Sequence, residues 1–249
     1  MSDNFIMPKS GEKPVYVQDM FNSIARTYDL LNDITSFWMH RGWKSKISGM
    51  VIEHIKKSSE PKILDLCCGT GDVSLALSKK ATQNRIKASI TGVDFSQKML
   101  DVAIVRNEKT TENKPEFLFG DATNLNYPDN SFDAITISFG LRNLPDTKAG
   151  LKEILRVLKP GGLFICLDLG KPKNKLYGAF YNFYFFRIVP IIGSLLQKGH
   201  DKAYTYLPQS SLHYPEQSVL AQYMNEVGFK KVKYINLAGG ATVIHTGEK

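Results

Sequence analysis

The feature that most constrains the fold is the stretch of residues 62–72, where a short apolar run meets a turn built on two glycines. The run 63–66 predicts a buried strand, and the apolar spacing that starts at Val73 predicts a helix directly after it. Gly69 and Gly71 let the backbone take unusual dihedrals and approach a ligand closely. A strand, a glycine turn and a helix N-terminus in this order predict a ligand-binding loop.

Strand and helix patterns alternate from Pro61 onwards. The predicted strands are 62–66, 88–93, 116–119, 132–138, 163–167, 231–236 and 242–245, and the predicted helices are 72–80, 96–107, 147–158 and 215–227. Residues 159–162 are expected to stop a helix and turn, and Gly239-Gly240 predicts a hairpin. The chain is therefore expected to be an α/β protein with a mostly parallel seven-stranded sheet and an antiparallel last strand.

Two segments lie outside this alternation. Residues 15–57 are predicted to form two helices, with a turn at Asn32-Asp33, and to act as a helical lid on the sheet. Residues 171–214 are predicted to be an aromatic helical insertion. Its apolar part approaches the length of a membrane span, but Asn182, Arg187 and Pro190 interrupt it, which favours a buried or interfacial helix. Residues 1–14 are expected to be flexible, which leaves 15–249 as a single domain.

Composition and charge indicate a globular protein with a basic surface. Of the 249 residues, 43% are hydrophobic and 22% charged, which is ordinary for a soluble protein. The net charge of +8 comes from small groups of lysines without an arginine-rich tract, so a solvated basic surface is favoured over a nucleic-acid site. Cys67, Cys68 and Cys166 predict buried thiols in a reducing compartment. With no apolar region typical of a secretory signal, we expect a cytoplasmic location.

The glycine loop and one carboxylate indicate the kind of ligand. Val73-Ser74 stands where a dinucleotide fingerprint has its third glycine, so an NAD pyrophosphate is poorly supported. Asp94 ends the second strand, where a carboxylate can accept hydrogen bonds from both hydroxyls of an adenosine ribose. Together these features predict an adenosine cofactor without requiring a pyrophosphate.

Other candidate residues follow the strands at the same edge of the sheet, where ligands bind in open α/β folds. Phe95 follows Asp94, and Ser138 ends the fourth strand. Asp121 with Ala122 either offers a carboxylate and a backbone N–H to an adenine edge or simply forms a turn after the third strand. Asp65 lies inside the first strand, and a buried carboxylate there is expected to have a partner.

These motifs resemble those of class I S-adenosylmethionine-dependent methyltransferases. The matching blocks are 65–72 (Asp-Leu-Cys-Cys-Gly-Thr-Gly-Asp), 92–96, 120–122, 127–133 and 156–162. Three further blocks, 21–33, 137–143 (Ile-Ser-Phe-Gly-Leu-Arg-Asn) and 239–247, resemble the ubiquinone/menaquinone biosynthesis C-methyltransferase family. The resemblance runs from about residue 17 to the end of the chain and implies a Rossmann-like fold.

The resemblance implies a cofactor and its binding residues. S-adenosyl-L-methionine would be held by Asp65 at the end of the first strand, by Gly69, Thr70 and Gly71 in the loop, by Asp94 at the ribose with Phe95 next to it, by Asp121 and Ala122 at the adenine, and by Ser138. The implied reaction is methylation of a ring carbon of a polyprenylated quinol, for which demethylmenaquinol is the favoured acceptor. Because the sulfonium is already activated, no protein nucleophile is required.

The acceptor carbon needs electron density, so the site should favour a phenolate over a phenol, whose pKa is near 10. Arg142 and Asn143 are the candidates for binding the quinol oxygens, and Tyr28 from the lid is a weaker candidate. Alternatively, Arg142 forms a structural ion pair with Asp29 or Asp146. His40 could be a base, although a histidine between two tryptophans is more often packed and hydrogen-bonded.

The insertion and the basic charge suggest partners. An aromatic helix flanked by Lys171, Lys173 and Lys175 suits an isoprenoid tail and peripheral contact with the membrane surface, while ordinary core packing remains open. An RNA or protein methyltransferase would need clustered cations beside the site or an Asn-Pro-Pro-Tyr-type motif, which this sequence lacks. A non-catalytic cofactor-binding protein would not need the block 137–143. No nucleic-acid partner is expected, and a homodimer is left open.

Overall fold

A seven-stranded sheet forms the centre of the protein, which a computed structural model describes over residues 11–196 and 202–249. The strands are β1 Lys62–Leu66, β2 Ser89–Asp94, β3 Glu116–Phe119, β4 Phe132–Ser138, β5 Leu158–Leu169, β6 Lys230–Leu237 and β7 Thr242–Glu248, in the spatial order β3-β2-β1-β4-β5-β7-β6. All pairs among β1 to β5 are parallel, and β7 is antiparallel to both β5 and β6. The predicted fold class is confirmed.

Helices cover both faces of this sheet. They are α1 Lys13–Ile24, α2 Tyr28–Thr35, α3 Met39–Ile55, α4 Asp72–Gln83, α5 Gln97–Asn107, α6 Thr147–Val157, α7 Lys175–Phe183, α8 Val189–Leu196, α9 Lys202–His213 and α10 Gln217–Val227. Ser96 caps the N-terminus of α5, since its hydroxyl accepts a hydrogen bond from the Met99 N–H at 3.3 Å. The central strands are buried on both faces, which explains their nearly continuous apolar runs.

The strand order places a crevice at the carboxyl ends of β1 and β4. From β1 the chain goes on to β2 and β3 on one side of the sheet, and β4 and β5 lie on the other side. The loops that follow β1 and β4 therefore lead to opposite sides and leave space between them, which is where ligands bind in folds of this kind.

The N-terminal segment forms three helices where two were predicted. Asn32 and Asp33 lie inside α2, and the chain instead turns at Phe37 and Trp38, both with left-handed backbone dihedrals (φ 50° and 60°). The turn prediction at Asn32-Asp33 was wrong because the Asp33 carboxylate binds the Arg41 guanidinium of α3, at 2.6 Å between Oδ1 and Nε. A partner eight residues away overrides the local turn preference of this pair.

Only part of this segment covers the carboxyl edge. Helix α3 packs on the sheet through Ile47, Val51 and Ile55, which are fully buried with residues of β1, α4 and β5. Helices α1 and α2 form a separate apolar cluster that includes Met99 of α5 and Tyr206 of α9. The name lid is therefore kept for α1 with α2, whereas the second half of α3 belongs to the core. Of the expected flexible residues 1–14, residues 1–10 lie outside the described part of the chain, and α1 already begins at Lys13.

The predicted insertion is helical. Helix α7 continues through a π-helical turn, Tyr184–Ile188, into α8, and α9 follows after residues 197–201, which lie outside the described ranges. Leu176, Phe180 and Phe183 of α7 are exposed. Within the described ranges, no helix is long and apolar enough to cross a membrane.

The expected turn at residues 159–162 belongs instead to β5, which begins directly after α6. Leu158 pairs with Phe132, and the register shifts before Ala134 pairs with Leu163. Gly161, with φ of 75°, lies in this irregular stretch, and β5 continues beyond it to Leu169. The expected hairpin at Gly239-Gly240 is present as a short 3₁₀ turn between β6 and β7.

A stability prediction arises at the end of β5. We expect Gly170→Ala to lower the free energy of unfolding by about 1–3 kcal/mol, because the added Cβ would lie 2.5 Å from the Gly240 carbonyl oxygen and would also meet Val243. Gly42→Ala on α3 is the matched control. Its Cβ meets nothing within 4 Å, so it should stabilise the helix by about 0.5–1 kcal/mol. Urea unfolding of both variants checks this, and equal stability of the two would contradict the crowding argument.

Candidate active site

Two cavities meet at the carboxyl edge of the sheet. The first, here named the loop cavity, has a volume of about 240 Å³ and lies among the loops that follow β1, β2, β3 and β4. The second, named the aromatic cavity, has about 270 Å³ and lies between α1–α3 and the insertion. Phe21, Tyr28, Phe139 and Asn143 line both cavities. A molecule bound in one cavity would therefore share a wall with a molecule bound in the other.

Six of the nine predicted cofactor residues line the loop cavity. They are Gly69, Asp94, Phe95, Asp121, Ala122 and Ser138. The other three, Asp65, Thr70 and Gly71, are not among the residues that line it. Residues from α1 and α2 cover the cavity, so a bound molecule would be enclosed by the lid.

Asp94 joins two of the loops. Its carboxylate accepts hydrogen bonds from the backbone N–H groups of Gly69 and Ser96, both at 2.8 Å. Burial raises the pKa of Asp94 to about 6, and the two N–H groups act in the opposite direction. Each carboxylate oxygen accepts one of these bonds and keeps a second lone pair for a ligand hydroxyl.

Asp65 lies behind the loop, out of the cavity. Its two oxygens accept hydrogen bonds from the hydroxyls of Ser74, at 2.7 Å, and Thr136, at 2.8 Å. Burial raises its pKa to about 6. The expected partner is therefore present as a pair of hydroxyls that tie the start of α4 to β1 and β4.

Thr70 joins the loop to the lid. Its hydroxyl donates to Asp29 Oδ1 at 2.7 Å, and Arg106 Nη1 donates to Asp29 Oδ2 and to the Thr70 carbonyl, both at 2.9 Å. Arg106 also pairs with Asp72, the first residue of α4. These charged hydrogen bonds, here named the latch, connect the outer side of the glycine turn to α2.

Ser138 gives a direct test of whether a ligand fits the loop cavity. Its hydroxyl oxygen is buried and has no hydrogen-bond partner among the described residues. Buried polar atoms are rarely left in this state, so such an atom indicates a missing partner. Because Asp94 lines the same cavity, the cavity offers a buried hydroxyl and a buried carboxylate, which suit the hydroxyl and amino groups of an adenosine cofactor.

Arg142 is buried at the aromatic cavity and forms an ion pair. Its Nη1 donates to Asp168 Oδ1 at 2.6 Å and to the Phe139 carbonyl at 2.7 Å. The sequence-based alternatives for its partner, Asp29 and Asp146, were wrong: Asp29 binds Arg106 and Thr70, and Asp146 caps α6. The Nε atom of Arg142 is buried and has no partner in the described part of the protein.

Asn143 lies where the two cavities meet. Its side-chain NH₂ donates to the Phe139 carbonyl at 3.2 Å, and its oxygen accepts from the Tyr206 hydroxyl at 3.3 Å. Tyr206 is 2% exposed and was not predicted from the sequence, because α9 lies far from the motif blocks. Asp168 was missed too, although a carboxylate at the end of an apolar strand is the same signal that identified Asp94.

His40 is packed and hydrogen-bonded, as the sequence suggested. Its Nδ1 lies 2.8 Å from the Ser36 hydroxyl, and its ring lines the aromatic cavity. Burial and the nearby Lys44 cation lower the pKa of His40 to about 4. The imidazole is therefore uncharged at neutral pH and is a weak proton acceptor.

The insertion supplies much of the aromatic cavity's wall. The contributing side chains are those of Tyr177, Phe180, Tyr181, Tyr184 and Phe185. Tyr184 also donates to the Thr35 carbonyl at 3.0 Å, which ties the insertion to the end of α2. The predicted aromatic segment therefore lines a cavity and also packs against the end of α2.

Solved structures of other proteins share this fold. A solved structure of Haemonchus contortus phosphoethanolamine N-methyltransferase 2 with S-adenosyl-L-methionine has a TM-score of 0.59 at 15% identity, over 82% of this chain and 52% of that one. The fold is thus that of the S-adenosylmethionine-dependent methyltransferases. A sequence model of the ubiE/COQ5 methyltransferase family matches residues 8–249, and the chain belongs to this family.

Individual relatives agree over nearly full length. Demethylmenaquinone methyltransferase from Leptospira interrogans is 41% identical over 98% of this chain and 97% of its own length. Ubiquinone/menaquinone biosynthesis C-methyltransferase UbiE from Rickettsia bellii is 39% identical over 97% and 95%. The protein is therefore an enzyme of quinone biosynthesis that uses S-adenosyl-L-methionine as its cofactor.

Proposed function

We propose that the enzyme methylates a ring carbon of a polyprenylated demethylmenaquinol, with the cofactor in the loop cavity and the quinol ring in the aromatic cavity. The observation that most supports this proposal is the wall that the two cavities share at Tyr28, Phe139 and Asn143. The buried cation of Arg142 lies beside this wall. The name of the Leptospira relative supports this choice of acceptor.

The loop cavity has the side chains that the cofactor needs. S-adenosyl-L-methionine, when bound, supplies a methyl group that its positive sulfur has already activated. Asp94 would accept the ribose hydroxyls, the Gly69 backbone would lie against the cofactor, and Asp121 with Ala122 would face the adenine. The buried Ser138 hydroxyl would gain its missing partner. Asp65 and Gly71 would act from behind by shaping the turn.

The aromatic cavity has the side chains that a quinol ring needs. A phenol has a pKa near 10, and a buried cation lowers the pKa of a phenol beside it. Arg142 would stabilise the phenolate, while Asn143 and Tyr28 would orient the ring at the junction of the cavities. His40, with a pKa of about 4, would take little part as a base. Electrostatic stabilisation by fixed groups is worth several kcal/mol in such sites.

One assay tests this function directly. The purified enzyme is incubated with methyl-labelled S-adenosylmethionine and, separately, demethylmenaquinols of several tail lengths and a ubiquinone precursor, and the labelled lipid is identified. We expect label on the demethylmenaquinol ring carbon. If every quinol fails while the enzyme binds the cofactor, the proposed function is wrong; label transferred to RNA instead would support a different class of acceptor.

The latch at Thr70 leads to a prediction about cofactor affinity. Asp29→Asn removes the charge that binds Arg106 and Thr70, so α2 should cover the loop cavity less tightly. Because the pair is partly exposed, we expect a loss of about 1 kcal/mol, or roughly a fivefold higher KM for S-adenosylmethionine, with little change in kcat. Lys148→Gln on α6, which removes an exposed ion pair with Glu226 of α10, is the control. Equal KM values for the two variants would show that the latch has no such role.

We also propose that the mouth of the aromatic cavity contacts an anionic membrane surface. Phe37, Met39 and Phe180 line the cavity and are 63%, 44% and 70% exposed. Trp38, Leu176 and Phe183 extend this apolar patch. Residues 34–52 and 169–200 contain no Asp or Glu, whereas Lys171, Lys173, Lys175 and Arg187 are exposed. An isoprenoid tail could pass from the lipid into the cavity along this patch.

Flotation with vesicles tests the membrane proposal. We expect the enzyme to float with vesicles that contain anionic phospholipid and to float less with neutral ones. The triple variant Leu176→Ser/Phe180→Ser/Phe183→Ser should lose flotation, whereas Ile104→Ser/Val105→Ser, which changes exposed residues of α5, should keep it. If the enzyme does not bind anionic vesicles, or if both variants bind equally, this surface is not the membrane contact.

A further inference from the structure

Asp168 makes more contacts with Arg142 than an ion pair requires. It is the second-last residue of β5, is 1% exposed, and accepts a hydrogen bond from the Arg142 guanidinium at 2.6 Å. Its other oxygen accepts from the Arg142 backbone N–H at 3.3 Å, and the Leu169 N–H donates to the first oxygen at 2.8 Å. Asp168 thus holds both the main chain and the side chain of Arg142.

Arg142 depends on this support because its own segment is short. It lies in a three-residue 3₁₀ turn, Leu141–Asn143, and its long side chain has many rotamers in the absence of a partner. The contacts with Asp168 and Phe139 both use Nη1. They leave the buried Nε–H without a partner in the described ranges, at a residue that lines the aromatic cavity.

We propose that Asp168 is a positioning residue for the methyl transfer: it fixes the Arg142 guanidinium at the wall of the aromatic cavity, where its charge can act on an oxygen of the quinol ring, and it balances the buried cation. This inference rests on the proposed function, because it takes the aromatic cavity to be the quinol site. Asp168 itself touches neither substrate nor cofactor in this scheme; it acts through Arg142.

The charge balance gives a readout that packing alone would not change. Among the residues that the structure describes, the other titratable groups that interact with Arg142 are Lys13, Tyr28, Tyr181, Tyr206, Cys166 and Tyr214. None of these is a carboxylate, so Asp168 supplies the negative charge that offsets the cation. Without it, Arg142 should attract a phenolate more strongly, and a bound quinol should ionise at lower pH.

Three variants test the proposal: Asp168→Asn, Asp168→Glu and the control Asp133→Asn. Asp133 makes matched contacts at the opposite end of the sheet, since it accepts from the Lys62 backbone N–H at 2.8 Å and from Lys159 Nζ at 2.7 Å. The measurements are kcat and KM for demethylmenaquinol as a function of pH, with thermal melting as the check on folding.

We expect Asp168→Asn to lower kcat about 10–100-fold and to move the acid limb of the kcat profile to lower pH by about one unit. Asp168→Glu keeps the charge but displaces it, so it should lower kcat about tenfold and leave the limb in place. Asp133→Asn should keep kcat within about twofold of the parent's value and leave the acid limb at the parent's pH.

A limb that stays at the parent's pH in Asp168→Asn, or a kcat equal to the parent's in either Asp168 variant, overturns the proposal. If Asp168→Asn does not fold, Asp168→Glu decides: a lower kcat with an unmoved limb supports the proposal, and an unchanged kcat overturns it. A parent enzyme that methylates no quinol would contradict the proposed function instead, so the two failures are distinguishable.

Discussion

Arg142→Gln is expected to lower kcat for the quinol at least about 100-fold, with a much smaller change in the KM for S-adenosylmethionine. Arg142 is the buried cation of the aromatic cavity, and glutamine keeps part of its length while removing the charge. Loss of one preorganised donor at a site where negative charge develops typically costs about 3–4 kcal/mol of transition-state stabilisation. Steady-state rates over a range of quinol concentrations measure the effect.

The substitution also changes stability, so its control must separate the two effects. Without Arg142, the buried Asp168 carboxylate is unpaired, which costs about 3–5 kcal/mol in comparable cases. The double variant Arg142→Gln/Asp168→Asn removes both charges and should regain most of the stability but little of the activity. Arg156→Gln, which changes a partly exposed arginine paired with Glu153 and Asp129, should retain the parent's kcat. An active, well-folded double variant would exclude the proposed role of Arg142.

Asp94→Ala should raise the Kd for S-adenosylmethionine at least about 100-fold and change kcat at saturating cofactor much less. The variant loses a charged acceptor for two ribose hydroxyls, each worth about 1.5–3 kcal/mol. It also frees the Gly69 N–H that Asp94 holds at 2.8 Å, so the glycine turn is less well ordered. Calorimetric titration with S-adenosylmethionine in the absence of a quinol measures this affinity without turnover.

Two companion variants make this result interpretable. Asp94→Asn keeps the shape and one acceptor oxygen, so its Kd should lie between those of the parent and Asp94→Ala. Asp133→Ala removes a carboxylate that anchors β1 and Lys159 far from the cavities, and its Kd should match the parent's. Similar affinities for the parent and Asp94→Ala would mean that the cofactor does not use this carboxylate.

Local sequence patterns predicted most of the fold. The bounds of β1, β3 and β4 agree with the prediction, and the other strands differ mainly at their ends. These elements were predictable because apolar periodicity and glycine turns act over a few residues. The exceptions, at Asn32-Asp33 and at residues 159–162, are places where a distant partner or a neighbouring strand replaced the local turn preference.

The candidate site was predictable where it follows strands. The rule that ligands bind at the carboxyl ends of parallel strands identified six residues that line the loop cavity, because these ends lie together at one edge of the sheet. It could not show that the Thr70 hydroxyl points to Asp29 on the lid, or that Asp65 lies behind the loop. Both outcomes depend on which way a side chain faces after the helices have packed.

The sequence by itself determined the order of strands and helices, the glycine turn, the cofactor class and the family, since each is recorded in contiguous residues. Only the tertiary structure decided that the second half of α3 belongs to the core, that Asp168 is the partner of Arg142, and that Tyr206 meets Asn143. Asp168 is 26 residues from Arg142, and Tyr206 is 63 from Asn143. Such pairs form only when the sheet register and helix packing bring separate segments together, and no local pattern encodes that geometry.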